Sequence, residues 1–373
     1  MVVQALPGIG KTALLSQTYE VFKSRGAYWL AGSGEEITRD LPYHSWRRVA
    51  ANILEHENGA LSAEGKGVVE WLAYARNDLP ASVAALTGPE RGARIAGLMA
   101  NALSELAERG SVILCFDDAQ WMDTPSIALL HGVVKTDALI GVLLAKRPEP
   151  PSTMEAAMLY GAPDVKTLEL QPLGEEGVIK IACQELNAES LSPDLKKLVL
   201  EKSGGSPLFA AQIGRALKEQ GYVTHEGQHC LFAAGQRDLD HVDFLESVEG
   251  AILARVDALA DTTKRVAAAA SVHGRTFSQQ AVEIALGVEL PPDAVAQELQ
   301  TLEAEGYISV EYLGALNVFS FSHALVQEAI GESMTSNLRR DMNQRLSKWW
   351  AMQSGPEAIQ RRAWHLTQSL SPD

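Results

Sequence analysis

Residues 5–12 read Ala-Leu-Pro-Gly-Ile-Gly-Lys-Thr, a run whose residue types suit the binding of phosphate. A glycine-rich turn lets successive backbone N–H groups point inward at an anion. A lysine and a hydroxyl at its end add a cation and a ligand for Mg²⁺. Pro7, Gly8, Ile9 and Gly10 are the expected turn. Lys11 is the expected cation for the β- and γ-phosphates, and Thr12 the expected Mg²⁺ hydroxyl. From Ala13 onward a helix is expected, with its positive end at the phosphates. The strict spacing G-x-x-x-x-G-K-[ST] asks for glycine at its first place, where this chain has Ala5. The bland alternative is a glycine-rich turn with a solvated lysine. The strand–loop–helix order, with Val2 and Val3 ending a buried strand, favours phosphate binding and makes a nucleoside triphosphate the expected ligand.

A second run supports the first. Val112-Ile113-Leu114-Cys115-Phe116 is followed by Asp117 and Asp118, the pattern of a buried parallel strand that ends at a polar edge. Ligands of doubly wound sheets sit at the carboxyl ends of strands. Asp117 is therefore expected to hold Mg²⁺ and Asp118 to polarise an attacking water. The alternative is a strand ending in a solvated acidic turn.

The elements that must position these groups follow from patterning. Residues 1–150 alternate apolar runs with amphipathic stretches, which predicts a parallel three-layer α/β domain. Strands are expected over 27–31, 139–145 and 165–170, and helices over 42–55 and 93–109. Another helix is expected to start at Asp123-Thr124-Pro125. From 174 to 219 the pattern turns helical, interrupted at Gly204-Gly205-Ser206-Pro207-Leu208. Helices are then expected over 248–259, 261–271, 278–286 and 292–305. A hairpin around Gly314, a helix over 323–334 and a helical end over 338–370 complete the chain.

Composition sets limits. The chain has 373 residues, enough for two or three domains, with 46% hydrophobic residues and a net charge of −15. An acidic balance without a basic block argues against bulk attraction to nucleic acid or anionic membrane. Three cysteines without metal-ligand spacing suit a reducing cytosol, and Cys115 reads as a core residue. No signal peptide or membrane-spanning run is visible. The short first strand and the abrupt end suggest a fragment of a longer protein.

Together the motifs resemble the signal-transduction ATPases with numerous domains (STAND), a branch of the AAA+-like P-loop proteins. The resemblance is to the ATPase module of large LuxR-type regulators and of multidomain class III nucleotide cyclases. Residues 117–123, Asp-Asp-Ala-Gln-Trp-Met-Asp, resemble the Walker B segment with its trailing Trp-x-Asp. Arg147 is similar to the family's sensor arginine. Gly205-Ser206-Pro207 resembles the Gly-x-Pro motif of a helical lid, whose proline packs near the base. The run from Phe321 to Glu328 resembles a winged-helix motif in which His323 can reach the bound diphosphate. The resemblance implies a P-loop ATPase domain over 1–170, an α-helical lid over 171–243 and a winged-helix domain over 244–335. The start of a C-terminal helical region follows over 336–373. It also implies ATP or ADP with Mg²⁺, an effector domain in a longer parent chain, nucleotide-dependent self-association and a cytoplasmic site of action.

Each of these residues has a simpler reading. Arg147 could lie solvated at a strand end, Pro207 could merely start a helix, and His323 and Asp123 could cap helices. Trp121 and the pair Trp349-Trp350 fit core packing. The stretch 292–305 has Asp293, Glu298, Glu303 and Glu305 but no lysine or arginine, so it would repel nucleic-acid phosphates. Four functions compete: a slowly hydrolysing ATP-dependent switch, a nucleotide-binding scaffold without turnover, the non-DNA-contacting part of a DNA-binding regulator, and a small-molecule kinase, for which nothing marks an acceptor site.

Overall fold

The computed structural model describes residues 1–56, 59, 61–74, 79–135, 140–151, 153–233, 247–287, 290–313 and 316–370. The chain divides into two compact units. One contains Met1–Leu6, Lys11–Leu170 and Gln353–Arg361; the other contains Pro7–Gly10, Gln171–Met352 and Arg362–Asp373.

The first unit is built on a five-stranded sheet in the order β2-β3-β4-β1-β5. Its strands are β1 (Val2–Gln4), β2 (Tyr28–Ser33), β3 (Val112–Asp117), β4 (Ile140–Lys146) and β5 (Thr167–Glu169). Every pairing is parallel. The three residues of β1 suffice because both edges are used. Val2 is in register with Leu144 on one side and Thr167 on the other. The run Val112–Phe116 is buried along its length and only Asp117 emerges, as a continuous apolar run in a doubly covered sheet requires.

Helices cover the sheet: α1 (Lys11–Ser24), α2 (Arg47–His56), α3 (Ala63–Tyr74), α4 (Ala81–Ala84), α5 (Gly88–Ala107), α6 (Thr124–Val134) and α7 (Met154–Tyr160). The core joins Leu30, Leu114 and Phe116 of the sheet to Trp46, Ile53, Val68, Ile95, Met99 and Leu130. The helix expected over 42–55 begins as a 3₁₀ turn at His44–Trp46. α3 and α4 were not anticipated from patterning. Leu139, expected to open a strand, lies outside the described residues.

The second unit begins with α8 (Glu175–Glu185), β6 (Ser190–Leu191), α9 (Pro193–Ser203), α10 (Pro207–Glu219), β7 (Val223–Glu226) and β8 (His229–Phe232). The helices expected over 174–219, with their break at 204–208, are present as α8, α9 and α10, and a small sheet not expected from patterning joins them. β7 and β8 form an antiparallel hairpin, and β6 adds in parallel, giving a sheet ordered β6-β8-β7. Ser192 and Ser206 cap α9 and α10, each accepting a backbone N–H and each followed by proline in the first turn.

Further on come α11 (Val248–Ala258), α12 (Asp261–His273), β9 (Thr276–Phe277), α13 (Gln279–Leu286), α14 (Pro292–Ala304), β10 (Ile308–Leu313), β11 (Leu316–Phe321) and α15 (Ala324–Ser333). α16 (Ser336–Trp350) and α17 (Pro356–Leu370) end the described chain. β11 pairs antiparallel with both β10 and β9. Phe277 stacks on Phe319 at 5.7 Å, in a core that includes Val266, Leu299, Phe321, Ile330 and Leu346. Trp349 and Trp350 pack against this core, as their apolar bulk suggests. The boundary expected at 243/244 and the turn at Gly314 lie outside the described residues.

Candidate functional site

In the first unit the chain turns out of β1 at Ala5. This residue is buried, and its N–H donates to the Lys146 carbonyl at the end of β4 (3.3 Å). Lys11 opens α1 and is itself buried. Its Nζ donates to the carbonyl oxygens of Ala5 (2.9 Å) and Leu6 (3.3 Å). A buried ammonium requires such acceptors. The turn between depends on Gly8 (φ +79°) and Gly10 (φ +101°), a left-handed conformation that side chains resist.

The carboxyl end of β3 meets the start of α1. Thr12 Oγ1 donates to Asp117 Oδ2 at 2.8 Å, across 105 residues of sequence. Asp117 Oδ1 accepts the backbone N–H of Asp118 (2.9 Å). Asp118 adopts a left-handed conformation (φ +48°, ψ +43°), uncommon for a non-glycine residue and tolerated better by aspartate than by most. Gln120 Nε2 donates to Asp118 Oδ1 (3.0 Å), and Gln120 Oε1 accepts the backbone N–H of Arg147 (3.1 Å). Gly34 closes this corner. Its N–H donates to the Asp117 carbonyl at 3.0 Å, and a Cβ there would lie 2.5 Å from the Asp118 carbonyl oxygen.

The flanking residues behave as structural elements. Asp123 is buried and caps α6, accepting the Ser126 N–H (2.8 Å) and hydroxyl (2.6 Å) and also the Tyr43 N–H (2.8 Å). Burial raises its pKa against these hydrogen bonds. Burial also pushes the Cys115 thiol up to about 12, which suits an inert core residue. Trp121 is half-buried in the 3₁₀ turn Ala119–Trp121.

Within the second unit, the Gly8 carbonyl accepts the Leu208 N–H (3.2 Å) and the Ser206 hydroxyl (3.4 Å). A Cβ at Gly10 would lie 3.9 Å from Pro207 Cγ. Pro207 does start a helix, and it also faces Gly10. Its neighbour Ser206 both caps α10 and reaches Gly8. Ile9 lies in the same half-buried stretch. His323 stands at the N-cap of α15, but its side chain makes no cap hydrogen bond, so the simple capping reading fails. Its pKa is lowered to about 4, first by desolvation and then by the charges of Arg275 and Arg215.

Sequence reasoning passed over Gln120 and Gly34. Gln120 was visible two residues after Asp118, but its bond to the Arg147 backbone depends on the pairing of β3 with β4. Gly34 follows the sixth residue of β2, and only the register of β2 with β3 places it beside Asp117.

The first unit offers a buried ammonium, a hydroxyl paired with a carboxylate, and a second carboxylate at the carboxyl end of β3. Among the described residues no group of three or more His, Cys, Asp or Glu could hold a metal ion. Mg²⁺ does not require one, because it commonly takes one or two protein ligands together with phosphates and water. Among the described residues no helix is long and apolar enough to cross a membrane.

Known proteins resemble this chain in sequence and in fold. The profile of the AAA ATPase domain family matches residues 1–144. An uncharacterized protein of Rhizobium meliloti is 27% identical over 248 residues, 66% of this chain and 23% of that protein. A STAND protein with a tetratricopeptide repeat sensor from Pyrococcus horikoshii has a similar structure. The TM-score is 0.57 at 14% identity, covering 99% of this chain and 45% of that one. The chain thus matches less than half the length of either relative. Residues 1–144 are similar to the AAA ATPase domain family, and the chain shares its fold with part of that STAND protein.

Proposed function

We propose that the chain is an ATP-binding, slowly hydrolysing regulatory switch module of a larger signalling or transcription-regulatory protein. The observation that carries this reading is the 2.8 Å bond between Thr12 and Asp117 beside the buried Lys11. A hydroxyl and a carboxylate in contact at the start of a helix form the pair that holds Mg²⁺ in P-loop enzymes. Thr12 and Asp117 would hold Mg²⁺, which would supply charge neutralisation at the phosphates. Pro7 to Ala13 supply backbone N–H groups, apart from Pro7, which has none, and Lys11 supplies the cation. Asp118 orients the attacking water, and Arg147 reads the γ-phosphate.

The division into domains at 1–170, 171–243, 244–335 and 336–373 belongs to the same proposal. The order α12, β9, α13, α14, β10, β11 fits a winged helix. Pro207 and His323 are its proposed contacts to base and diphosphate, through which the hydrolysis state would reset the second unit. α14 holds Asp293, Glu298 and Glu303 and no basic residue, so this winged helix is read as a packing element that does not contact nucleic acid. Nucleotide-dependent self-association, an effector domain in the parent chain and a cytoplasmic location complete the proposal.

Extraction of nucleotide from the purified chain, with a melting scan in ATP and Mg²⁺, tests it. Bound adenine nucleotide and an ATP-dependent rise in Tm are expected. No nucleotide and no shift would overturn it.

A further inference from the structure

We infer that Gln120 is a positioning residue that sets the aim of the Asp118 carboxylate and links it to the Arg147 end of β4. The inference rests on the proposed roles of Asp118 and Arg147 in nucleotide turnover. Gln120 uses both ends of its amide in opposite senses. Nε2 donates to Asp118 Oδ1 at 3.0 Å, and Oε1 accepts the Arg147 N–H at 3.1 Å. The partners fix the orientation of the amide, because an ionised carboxylate only accepts and a backbone N–H only donates. A glutamate here could only accept, and a lysine or arginine could only donate. A neutral amide of this length meets both demands.

The surroundings show that Asp118 is held in a particular pose. Its backbone is left-handed at φ +48°. Its N–H is held by Asp117 Oδ1 (2.9 Å), and its carbonyl accepts the Trp121 N–H (2.9 Å). With the backbone pinned, the remaining freedom is rotation of the carboxylate. The Gln120 bond to Oδ1 restrains that rotation, and with it the direction of Oδ2. Misdirection of a water-orienting group by a fraction of an ångström slows turnover without removing a binding contact. The same side chain is bonded to a backbone group 27 residues on. A shift of the β4 end at Arg147 therefore reaches Asp118 through two hydrogen bonds.

Gln120→Met keeps the length of the side chain and removes both bonds. Gln120→Glu keeps the acceptor for Arg147 and sets a negative oxygen against Asp118. Phosphate release at saturating ATP, ATP affinity by titration and hydrogen exchange of the Arg147 amide test the idea on the full chain. Both variants are expected to bind ATP within about threefold of wild type and to lose about 10- to 100-fold in kcat. Without nucleotide, Arg147 N–H exchange is expected to quicken in Gln120→Met and to stay slow in Gln120→Glu. A wild type that hydrolyses ATP beside variants with unchanged kcat overturns the inference alone. Equal losses in affinity, kcat and Tm overturn it as well, in favour of a merely structural role. A wild type that fails to bind or hydrolyse ATP overturns the functional reading and the inference with it.

Discussion

Two polar clusters, one in each unit, use similar side chains to different ends. In the second unit Arg255 is 1% exposed, and its guanidinium is bonded on every side. Nε donates to both Glu219 oxygens (3.1 and 3.0 Å), Nη1 to Gln212 (2.7 Å) and Nη2 to the Glu305 carbonyl (3.2 Å). The ring of Tyr307 lies 4.5 Å from its Cζ. In the first unit Lys11 is held by two carbonyls of its own loop. Thr12, Asp117, Asp118 and Gln120 are joined by hydrogen bonds at the carboxyl end of β3, on backbone that includes a left-handed aspartate. The first cluster spends its charge on partners fixed by the fold and has no strained residue. The Lys11 cluster has its cation held by backbone carbonyls and its carboxylates hydrogen-bonded to neighbours on a left-handed backbone, a pattern found among groups that serve a ligand.

The largest expected effect is the loss of stability in acid. In the first unit Arg47 pairs with Glu357, Arg361 bonds Glu357 at 2.8 Å, and Arg361 faces Glu35 at 3.9 Å. Burial alone would raise the Glu357 pKa, but the charges of Arg361 and Arg47 overcome it and bring it down to about 2. Burial, then the Arg47 charge, lowers His44 to about 3. Both folded pKa values lie below their unfolded values. Between them the unfolded chain therefore binds more protons, and stability falls with falling pH. The loss should start near pH 6.5 with His44 and continue below 4.5 with Glu357. It should total on the order of several kcal/mol, followed by denaturant melts across that range.

Arg255→Ala should cost about 3–5 kcal/mol, because it strands Glu219 and Gln212, while leaving ATP affinity unchanged. A drop in affinity would break the contrast between the clusters. Lys11→Ala should do the reverse. It should weaken ATP binding by about 1.5–3 kcal/mol, or on the order of 10- to 100-fold, and change Tm little. Asp123→Ala should cost about 0.5–2 kcal/mol by removing the α6 cap, with Mg²⁺-dependent binding intact. An equal loss of binding would make Asp123 part of the site.

Much of this contrast was legible in the sequence. The loop at 5–12 and the Asp117-Asp118 edge were readable because glycine turns, apolar runs and terminal carboxylates are local signals. Ala5 looked like a departure, and the fold shows how it is accommodated. Its methyl is buried at the strand–loop junction, while only Gly8 and Gly10 of this loop take positive φ. α3 escaped because Gly65 and Gly67 lower its helical propensity. It forms because Val68, Val69 and Leu72 are buried in the core. The sheet β6-β8-β7 escaped because β6 has two residues and β7 is mostly exposed, too little pattern for a period of two. The Arg255 cluster draws on positions 212, 219, 255, 305 and 307, which only tertiary packing brings together.

The central claim is that Lys11, Thr12 and Asp117 form one Mg²⁺-dependent nucleotide site. Calorimetric titration of ATP into the nucleotide-stripped chain, with Mg²⁺ and with chelator, for wild type and Lys11→Ala, tests it most directly. Saturable binding in wild type that weakens with chelator and weakens again in Lys11→Ala is the predicted result. No binding in wild type, or binding indifferent to both Mg²⁺ and Lys11, would contradict it.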